Sequence, residues 1–281
     1  MSDLRELEES QAPRKLPNRA MVLIAGLVAL ALMATLVFVI LRPTGGGGTT
    51  GGAPSSEPPV ESAGADTSAG KLLGWGEPNV DEEFDGPLGP EWRVYDGPGH
   101  LDNGIRSPQA VEVSDGVLTI TGDSEGATGG LALFPGQRYG RWEGRVRLPP
   151  SDETYNALLL LWPDAENWPV GGEIDFMENL DPARQETGIY VHYDTATDQL
   201  IESVRVDATQ WHNWAVEWTP ERIVAYLDGR EWFRTSEPEV LPPGPMHLAI
   251  QLDWFPGQAV DQDVQESTME VDWIKQYSYD P

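Results

Sequence analysis

Three carboxylates fall within six residues of an apolar, strand-like stretch. Glu173, Asp175 and Glu178 lie in the sequence Gly-Glu-Ile-Asp-Phe-Met-Glu-Asn of residues 172–179. Because a strand alternates its side chains between two faces, Glu173 and Asp175 point the same way and Glu178 points the opposite way. A bulge of one residue at Phe176–Met177 would reset this register and bring all three acids to one face. Like charges raise each other's pKa, so such a costly cluster is typical of a chemical site.

Two carboxylates in different protonation states suit glycoside hydrolysis with retention of configuration. In this interpretation Glu173 attacks the anomeric carbon, and Glu178 protonates the leaving oxygen and then activates water. Asp175 lies between them and hydrogen-bonds to the nucleophile. Retention needs carboxyl groups about 5–5.5 Å apart, whereas four strand steps separate the Cα atoms by about 13 Å, so the sheet must be curved. The alternative is an acidic edge strand whose inward charges only discourage aggregation.

Residues 172–178 resemble the signature of glycoside hydrolase family 16, in its laminarinase-like form with a β-bulge. Further segments resemble other landmarks of that family and occur in the family's order over roughly residues 75–281: Asp81–Asp85, Trp92, Val113–Ile120, Tyr139–Glu143, Trp211–Trp218 and Val271–Lys275. The resemblance implies an all-β fold, a jelly-roll sandwich of two curved antiparallel sheets like that of concanavalin A. It also implies a sugar cleft on the concave face, which supplies the curvature that the acids require.

The N-terminal part has a different composition from the rest of the chain. Residues 20–41 carry no charge, and a helix of this length would span ~33 Å, enough to cross a bilayer. Arg14, Lys15 and Arg19 precede this stretch, which places residues 1–19 in the cytoplasm. We therefore predict a transmembrane signal-anchor, followed by a flexible Gly/Ser/Pro/Thr linker at 42–70 and a catalytic domain at 71–281. A cleaved signal peptide is the alternative, but the apolar run is long and lacks an Ala-x-Ala site.

The net charge is −28 at pH 7, from 46 acidic and 18 basic residues. Such a surface repels phosphate backbones, so nucleic acid is excluded as a partner. It also disfavours sulfated or uronic polysaccharides, so the expected substrate is a neutral β-glucan. The chain has no cysteine, which excludes disulfides and a lipoprotein anchor. We expect a monomer that touches the membrane only through its N-terminal helix.

The rest of the sequence has the alternation of a β protein. Residues 116–121 and 144–148 alternate apolar and polar side chains, and residues 158–161 are four consecutive leucines, as in a strand that is buried on both faces. Asp228-Gly229 between two β-rich runs predicts a hairpin. No helical periodicity of useful length follows residue 42. These features predict many short strands.

Three tryptophans are candidates for stacking on pyranose rings. Trp162 and Trp168 flank the loop that leads to Glu173, and Trp254 follows in a later strand. Indole rings suit the apolar face of a sugar, although packing in the core is the alternative. His192 follows the acids in a strand, and the resemblance places a histidine of this kind beside the cleft as a hydrogen-bond donor. A structural histidine is the other interpretation.

Further candidate sugar contacts come from a polar loop and from one late strand. Asn103 and Arg106 belong to the loop 99–108, which resembles a loop at the cleft edge in similar enzymes but could equally be a surface turn. Gln251 lies in the strand that normally contributes to sugar binding in this family. In this chain that strand reads Ala-Ile-Gln-Leu-Asp-Trp at 249–254 and departs from the Asn-rich pattern of typical laminarinases.

No cofactor is required by this chemistry. Four scattered histidines and no cysteines give no transition-metal motif, so no metal ligand is assigned. Relatives carry calcium on the convex face, and acids such as Glu83 and Asp272 leave a structural calcium open.

Two classes of function follow from the sequence. The first is a membrane-tethered, extracellular, retaining endo-glycosidase acting on a β-glucan, with β-1,3 linkages favoured and transglycosylation as a variant. The second is a non-catalytic surface lectin. The intact Glu173, Asp175 and Glu178 favour the enzyme, since a lectin has no need for closely spaced, mutually repelling acids.

Overall fold

The computed structural model describes residues 66–257 and 263–279. They form a sandwich of a seven-stranded and an eight-stranded antiparallel sheet, with a small three-stranded sheet beside it. This confirms the predicted all-β sandwich. The predicted cytoplasmic tail, signal-anchor helix and most of the linker lie outside the described residues. Within the described residues, no helix has both the length and the apolar character needed to span a bilayer.

Both large sheets combine strands from distant parts of the chain. In spatial order, the seven-stranded sheet contains β13 (Gln199–Arg205), β12 (Glu186–His192), β11 (Glu173–Asn179), β10 (Tyr155–Pro163), β17 (Met246–Trp254), β8 (Gly130–Gln137) and β2 (Trp92–Val94). The eight-stranded sheet contains β16 (Arg230–Thr235), β15 (Ile223–Leu227), β14 (His212–Trp218), β9 (Gly140–Arg147), β18 (Ser267–Tyr277), β6 (Val117–Gly122) and β5 (Val111–Ser114), and β1 (Val80–Glu82) pairs with β18. The small sheet contains β3 (Gly97–Pro98), β4 (Ile105–Arg106) and β7 (Ala127–Thr128).

Helical structure in the described part is short. One α-helix, α1, spans Ala69–Leu72, and three 3-10 turns span His100–Asp102, Pro108–Ala110 and Pro238–Val240. The sequence prediction of a domain built from strands is confirmed.

The two faces of the seven-stranded sheet bury different residues. On β10, Leu159 and Leu161 point into the main core between the sheets. Leu158 and Leu160 join a separate apolar cluster on the other side of the sheet. We call that side the outer face of the seven-stranded sheet. The run of four leucines is thus buried on both faces, as its composition predicted.

The hairpin predicted around Asp228-Gly229 is present between β15 and β16. Asp228 has φ +49° and Gly229 has φ +70°, the left-handed pair that the favoured two-residue hairpin turn requires. Asp228 also accepts the backbone N–H of Asn213 at 2.9 Å, so the turn is tied to the neighbouring strand β14.

The domain begins earlier than predicted. The sequence predicts that residues 66–70 belong to the flexible linker, but Ala69 and Gly70 are buried against the eight-stranded sheet. Their backbone N–H groups donate to the carboxylate of Glu143 at 2.6 and 3.0 Å. A Cβ on Gly70 would lie 2.2 Å from the phenol oxygen of Tyr277. The small residues at these positions resemble the composition of a linker. They are needed here because the chain packs closely on β9 and β18.

Candidate active site

The three acids of β11 are brought to one face by a bulge at Phe176–Met177. Along β10 the pairing of β11 jumps from Asp175 to Met177, and along β12 it jumps from Asp175 to Glu178. Phe176 and Met177 both point into the main core, so two consecutive side chains share one side of the strand. Glu178 consequently returns to the face that carries Glu173 and Asp175. The predicted bulge is confirmed.

Cross-strand pairs define what surrounds each acid, because directly opposed residues share a face. Glu173 pairs with His192 and Asp175 pairs with Tyr190. Glu178 pairs with Gly188, where the absence of a Cβ leaves room for the ring of Tyr190, which would lie 2.7 Å from such a Cβ. On its other side Glu178 pairs with Leu158, which in turn pairs with Gln251 of β17. The acids therefore line the outer face beside an apolar row and an amide.

The environment raises the pKa of all three carboxyl groups. Burial is the largest cause for each, and the negative charge of Asp175 is the next cause for Glu173 and for Glu178. Burial raises the pKa of Asp175 to about 8, although a hydrogen bond shared with Glu173 acts in the opposite direction. The indole of Trp168 and the charge of His192 favour the ionised form of Glu173. All three carboxyl groups therefore hold their protons to higher pH than free carboxylic acids do, and the titrations of these neighbours depend on each other.

His192 lies beside the acids, where the sequence placed it. Its Nε2 is 3.4 Å from Oδ2 of Asp175. Its Nδ1 is buried and has no hydrogen-bond partner among the described residues. Burial lowers the pKa of His192, although the charge of Glu173 opposes that shift. A neutral imidazole can donate one hydrogen bond and accept another at this position.

Trp162 and Trp168 form a stacked pair at the same end of the sheet. Their ring centroids are 6.5 Å apart with an interplanar angle of 7°, and Trp168 also meets His192 edge-on at 6.1 Å. Trp168 is 36 % exposed, while the indole N–H of Trp162 donates to Glu166 at 2.9 Å. Trp168 thus offers an open aromatic face next to the nucleophile candidate, supported from behind by Trp162.

Arg106 and Gln251 meet at the outer face but are bonded to protein groups. Arg106 donates to Oε1 of Gln251 at 2.9 Å. It also binds both carboxylate oxygens of Asp253, with contacts of 2.7 and 2.9 Å from Nη2. The guanidinium lies 5.1 Å from the ring centroid of Tyr95. Arg106, predicted as a direct sugar contact, therefore fastens the loop that carries it to β17.

Trp254 is not brought to the site, which corrects the sequence-based assignment. It lies on the opposite face of β17 from Gln251 and Asp253, because adjacent residues of a strand alternate. Its indole N–H donates to Oγ1 of Thr154 at 3.1 Å. The backbone of Gly104 and Gly126 packs on its ring, where a Cβ would come within 2.9 and 2.2 Å of the indole. Trp254 supports the loop instead of stacking on a sugar.

Asn103 is half-buried in the same loop, and its backbone N–H donates to the carbonyl of His100 at 3.0 Å. Its role as a sugar contact stays a prediction.

Several polar residues of the outer face were missed by sequence reasoning. Tyr190 pairs with Asp175, and burial together with the charge of Glu178 raises its pKa. Asp253 is 2 % exposed beneath Arg106. His247 is bonded to Asp164 at 2.8 Å. Alternation along β17 would have placed positions 247, 251 and 253 on one face, but the partners of these residues lie far away in the sequence.

One group of described residues has the donors of a cation site. One ligand atom each from Glu173, Asp175 and His192 lies within 4.8 Å of the others. Glu173 and Asp175 are also acids that the chemistry needs. A cation bound here would therefore coordinate the carboxylate of the candidate nucleophile. Of the calcium candidates, Glu83 pairs with Lys275 at 2.8 Å and Asp272 with Arg145 at 3.1 Å.

Comparisons with known sequences agree with this geometry. Residues 103–275 match the family described as Glycosyl hydrolases family 16. The chain is 30 % identical to a beta-glucanase of Rhodothermus marinus over 166 residues, which are 50 % of this chain and 58 % of that protein. It is 28 % identical to the Endo-1,3-1,4-beta-glycanase EglC of Rhizobium meliloti (strain 1021) over 191 residues, covering 62 % of this chain and 41 % of that protein. The chain spans about half the length of the curated relatives it matches.

Solved structures have the same fold. The laminarinase from Rhodothermus marinus superposes with a TM-score of 0.64 and 25 % identity, covering 73 % of this chain and 98 % of that one. The catalytic domain of an endo-1,3-beta-glucanase from Thermotoga petrophila RKU-1 superposes with a TM-score of 0.64 at 19 % identity, covering 73 % and 98 %. With a family match over more than half of its length and a bulge that gathers three acids on one face, the chain belongs to family 16 of the glycosyl hydrolases.

Proposed function

We propose that this protein is a retaining endo-glycosidase that hydrolyses a neutral β-glucan, with β-1,3 linkages as its main target. The observation that carries the proposal is the bulge at Phe176–Met177, which puts Glu173, Asp175 and Glu178 on one face of β11. Two carboxyl groups on one face, with a third between them, are the components that retention requires.

The proposed reaction has two steps. In the first, a carboxylate oxygen of Glu173 bonds to the anomeric carbon while the bond from that carbon to the leaving oxygen breaks. Glu178 gives its proton to that leaving oxygen. In the second step, water attacks the anomeric carbon and passes a proton to Glu178, which frees the carboxylate of Glu173. Two displacements at one carbon return its original configuration.

Asp175 supplies the difference in protonation that this reaction needs. When Asp175 holds a proton, its carboxyl can donate to Glu173, and Glu173 then carries the negative charge of a nucleophile. Burial raises the pKa of Asp175 to about 8, and the indole of Trp168 and the charge of His192 favour ionisation of Glu173, whereas the hydrogen bond between the two acids favours the proton on Glu173. Burial raises the pKa of Glu178, and the negative charge of Glu173 adds to that rise, which favours the role of Glu178 as the acid.

A neutral glucan is favoured by charge and by the relatives. The net charge of −28 opposes acidic polysaccharides. Relatives are named a beta-glucanase, an endo-1,3-1,4-beta-glycanase and a glucan endo-1,3-beta-glucosidase. The exposed face of Trp168 next to Glu173 suits the apolar face of a glucose ring.

The proposal includes a location. The uncharged residues 20–41 would anchor the chain as a single-pass protein with residues 1–19 in the cytoplasm and the catalytic domain outside. Membrane fractionation with an antibody to the C-terminal domain tests this point. A mature protein that begins beyond residue 40 would contradict the anchor.

The activity is tested by a reducing-sugar screen of the full chain on laminarin, lichenan, agarose and xyloglucan. We expect release of oligosaccharides from laminarin, and weaker release from lichenan. Longer products formed when acceptor sugars are added would instead indicate transglycosylation. Binding of laminarin without any bond cleavage would support the lectin and contradict the proposal.

A further inference from the structure

A buried ion pair lies beside the three acids and has no part in the reaction described above. Asp253 of β17 is 2 % exposed. Arg106 contacts Oδ1 of this carboxylate through Nε at 3.1 Å and through Nη2 at 2.7 Å, and Oδ2 through Nη2 at 2.9 Å. Nδ1 of His100 lies 3.5 Å from Oδ2. These contacts hold the carboxylate in one orientation and stabilise its charge.

Strand pairing places this charge within reach of Glu178. Glu178 pairs with Leu158, which pairs with Gln251 on β17. Asp253 is two residues beyond Gln251 and therefore shares its face. Two strand spacings across the sheet, about 10 Å, and two residues along β17, about 7 Å, put the Cα atoms of Glu178 and Asp253 about 12 Å apart. The side chain between them is the buried, apolar Leu158, so little solvent screens the interaction.

The charge on Asp253 is the most permanent of those near Glu178. Burial alone would raise the pKa of Asp253, but the bond from His100 and the charge of Arg106 outweigh burial and hold that pKa below its usual range. In contrast, burial raises the pKa of both Glu173 and Asp175, and Glu173 loses its charge when it bonds to sugar. The titratable or charged groups around Glu178 are Glu173 and Asp175 on its own strand, Tyr190 and His192 on β12, and Asp253 with its partners Arg106 and His100 on the side of β17.

We propose that Asp253, fixed as an anion by Arg106 and His100, is a positioning residue that keeps Glu178 protonated while the nucleophile is ionised. The role rests on the proposed function, since it matters only if Glu178 is the acid. It adds a residue that the family-like motif does not contain, in the strand where this chain departs from typical laminarinases. Arg106 and Gln251 then serve the chemistry by holding Asp253 and its strand in place.

The test is the pH profile of kcat/KM for Asp253→Asn on a β-1,3-glucan oligosaccharide. Loss of one charge about 12 Å from Glu178 should move the alkaline limb to lower pH by about half to one unit. The plateau should stay within about threefold of the wild-type value, because no contact with substrate is removed. Asp253→Glu keeps the charge and should restore the wild-type limb.

Two controls separate this role from a structural one. Glu270→Gln removes the same charge from the opposite sheet, where Glu270 pairs with Arg147, and should leave the limb in place. An aryl glucoside with a good leaving group needs no proton from Glu178, so its alkaline limb should be the same in wild type and in Asp253→Asn.

If Asp253→Asn does not fold, the pair Asp253→Asn with Arg106→Gln removes both charges and avoids an orphaned guanidinium. It should shift the limb in the same direction but by less than Asp253→Asn, because the positive charge of Arg106 is lost together with the negative charge of Asp253. The role of Asp253 is overturned if the alkaline limb of the folded variant coincides with that of wild type, or if Glu270→Gln shifts the limb equally. Either result leaves the glucanase activity in place. A wild-type protein that cleaves no β-glucan overturns the proposed function itself.

Discussion

Each sheet of the sandwich buries carboxylates, and the two sheets satisfy them differently. Glu143 in the eight-stranded sheet is 1 % exposed and accepts two backbone N–H groups, from Ala69 and Gly70. Asp175 in the seven-stranded sheet is 2 % exposed, and its Oδ1 has no hydrogen-bond partner among the described residues. Its nearest charged neighbour on the same strand is Glu173, another acid.

This difference distinguishes a structural carboxylate from one that is available for chemistry. Burial raises the pKa of Glu143 to about 7, and its two hydrogen bonds act against that rise. These bonds fasten the start of the domain to β9. Asp175 is buried without such donors and Glu173 and Glu178 beside it are half-buried, so the protonation of these acids depends on each other and on whatever enters the site. A buried carboxylate thus stabilises the fold where backbone donors satisfy it and is available for chemistry where such donors are missing.

The largest expected effect is the loss of the attacking oxygen. Glu173→Ala should reduce kcat on β-glucan by at least about a thousandfold, because no group remains to form the intermediate. Azide should enter the vacated space and give an inverted glycosyl azide from an activated aryl glycoside. The thermal midpoint should not fall, since one of three repelling carboxyl groups is gone. Hydrolysis at the wild-type rate would remove Glu173 from the mechanism.

Asp175→Asn should lower kcat by about ten- to a hundredfold and should stabilise the fold in a pH-dependent way. The folded pKa of Asp175 is about 8, raised from 3.8, so the folded chain binds this proton more tightly than the unfolded chain. Stability is therefore lost as the pH rises from about 4 to about 8. The gain in Tm of the variant over wild type should grow across that range in calorimetry. A gain that is constant with pH would mean that folding does not raise the pKa of Asp175.

Glu143→Ala should do the reverse, with a large effect on stability and little on activity. Two buried N–H groups would lose their acceptor, which costs about 2–4 kcal/mol. Urea unfolding measures this loss, and kcat/KM at low temperature should remain within about twofold of wild type. Glu112→Ala on the exposed side of β5 is the matched control, with an expected change below about 0.5 kcal/mol. A loss of kcat without a loss of stability would assign Glu143 to the chemistry.

The smallest effect is expected at the aromatic edge of the site. Trp168→Ala should raise KM for laminarin oligosaccharides by about three- to tenfold while kcat changes less, because stacking binds substrate and transition state alike. Trp254→Phe should lower Tm through loss of the bond to Thr154 and leave KM unchanged. Equal increases of KM in both variants would instead indicate that Trp254 also contacts the sugar.

Local patterns predicted the fold and the acids. The Asp-Gly turn at 228–229, the alternation of β6 and β9 and the spacing of residues 173–178 each depend on neighbours in the sequence, so they could be found without coordinates. The remaining features depend on distant partners. Arg106 reaches Asp253 across 147 positions, and Ala69 reaches Glu143 across 74. Trp254 is the exception, since alternation from Gln251 already places it on the opposite face.

The most direct test of the proposed mechanism is the configuration of the first product released by the wild-type protein. Proton NMR during early hydrolysis of a laminarin oligosaccharide distinguishes the anomers before they equilibrate. The placement of Glu173 and Glu178 on one face by the bulge predicts that the β-anomer appears first and then mutarotates. Initial release of the α-anomer would mean inversion, and the mechanism built on these two carboxylates would be contradicted.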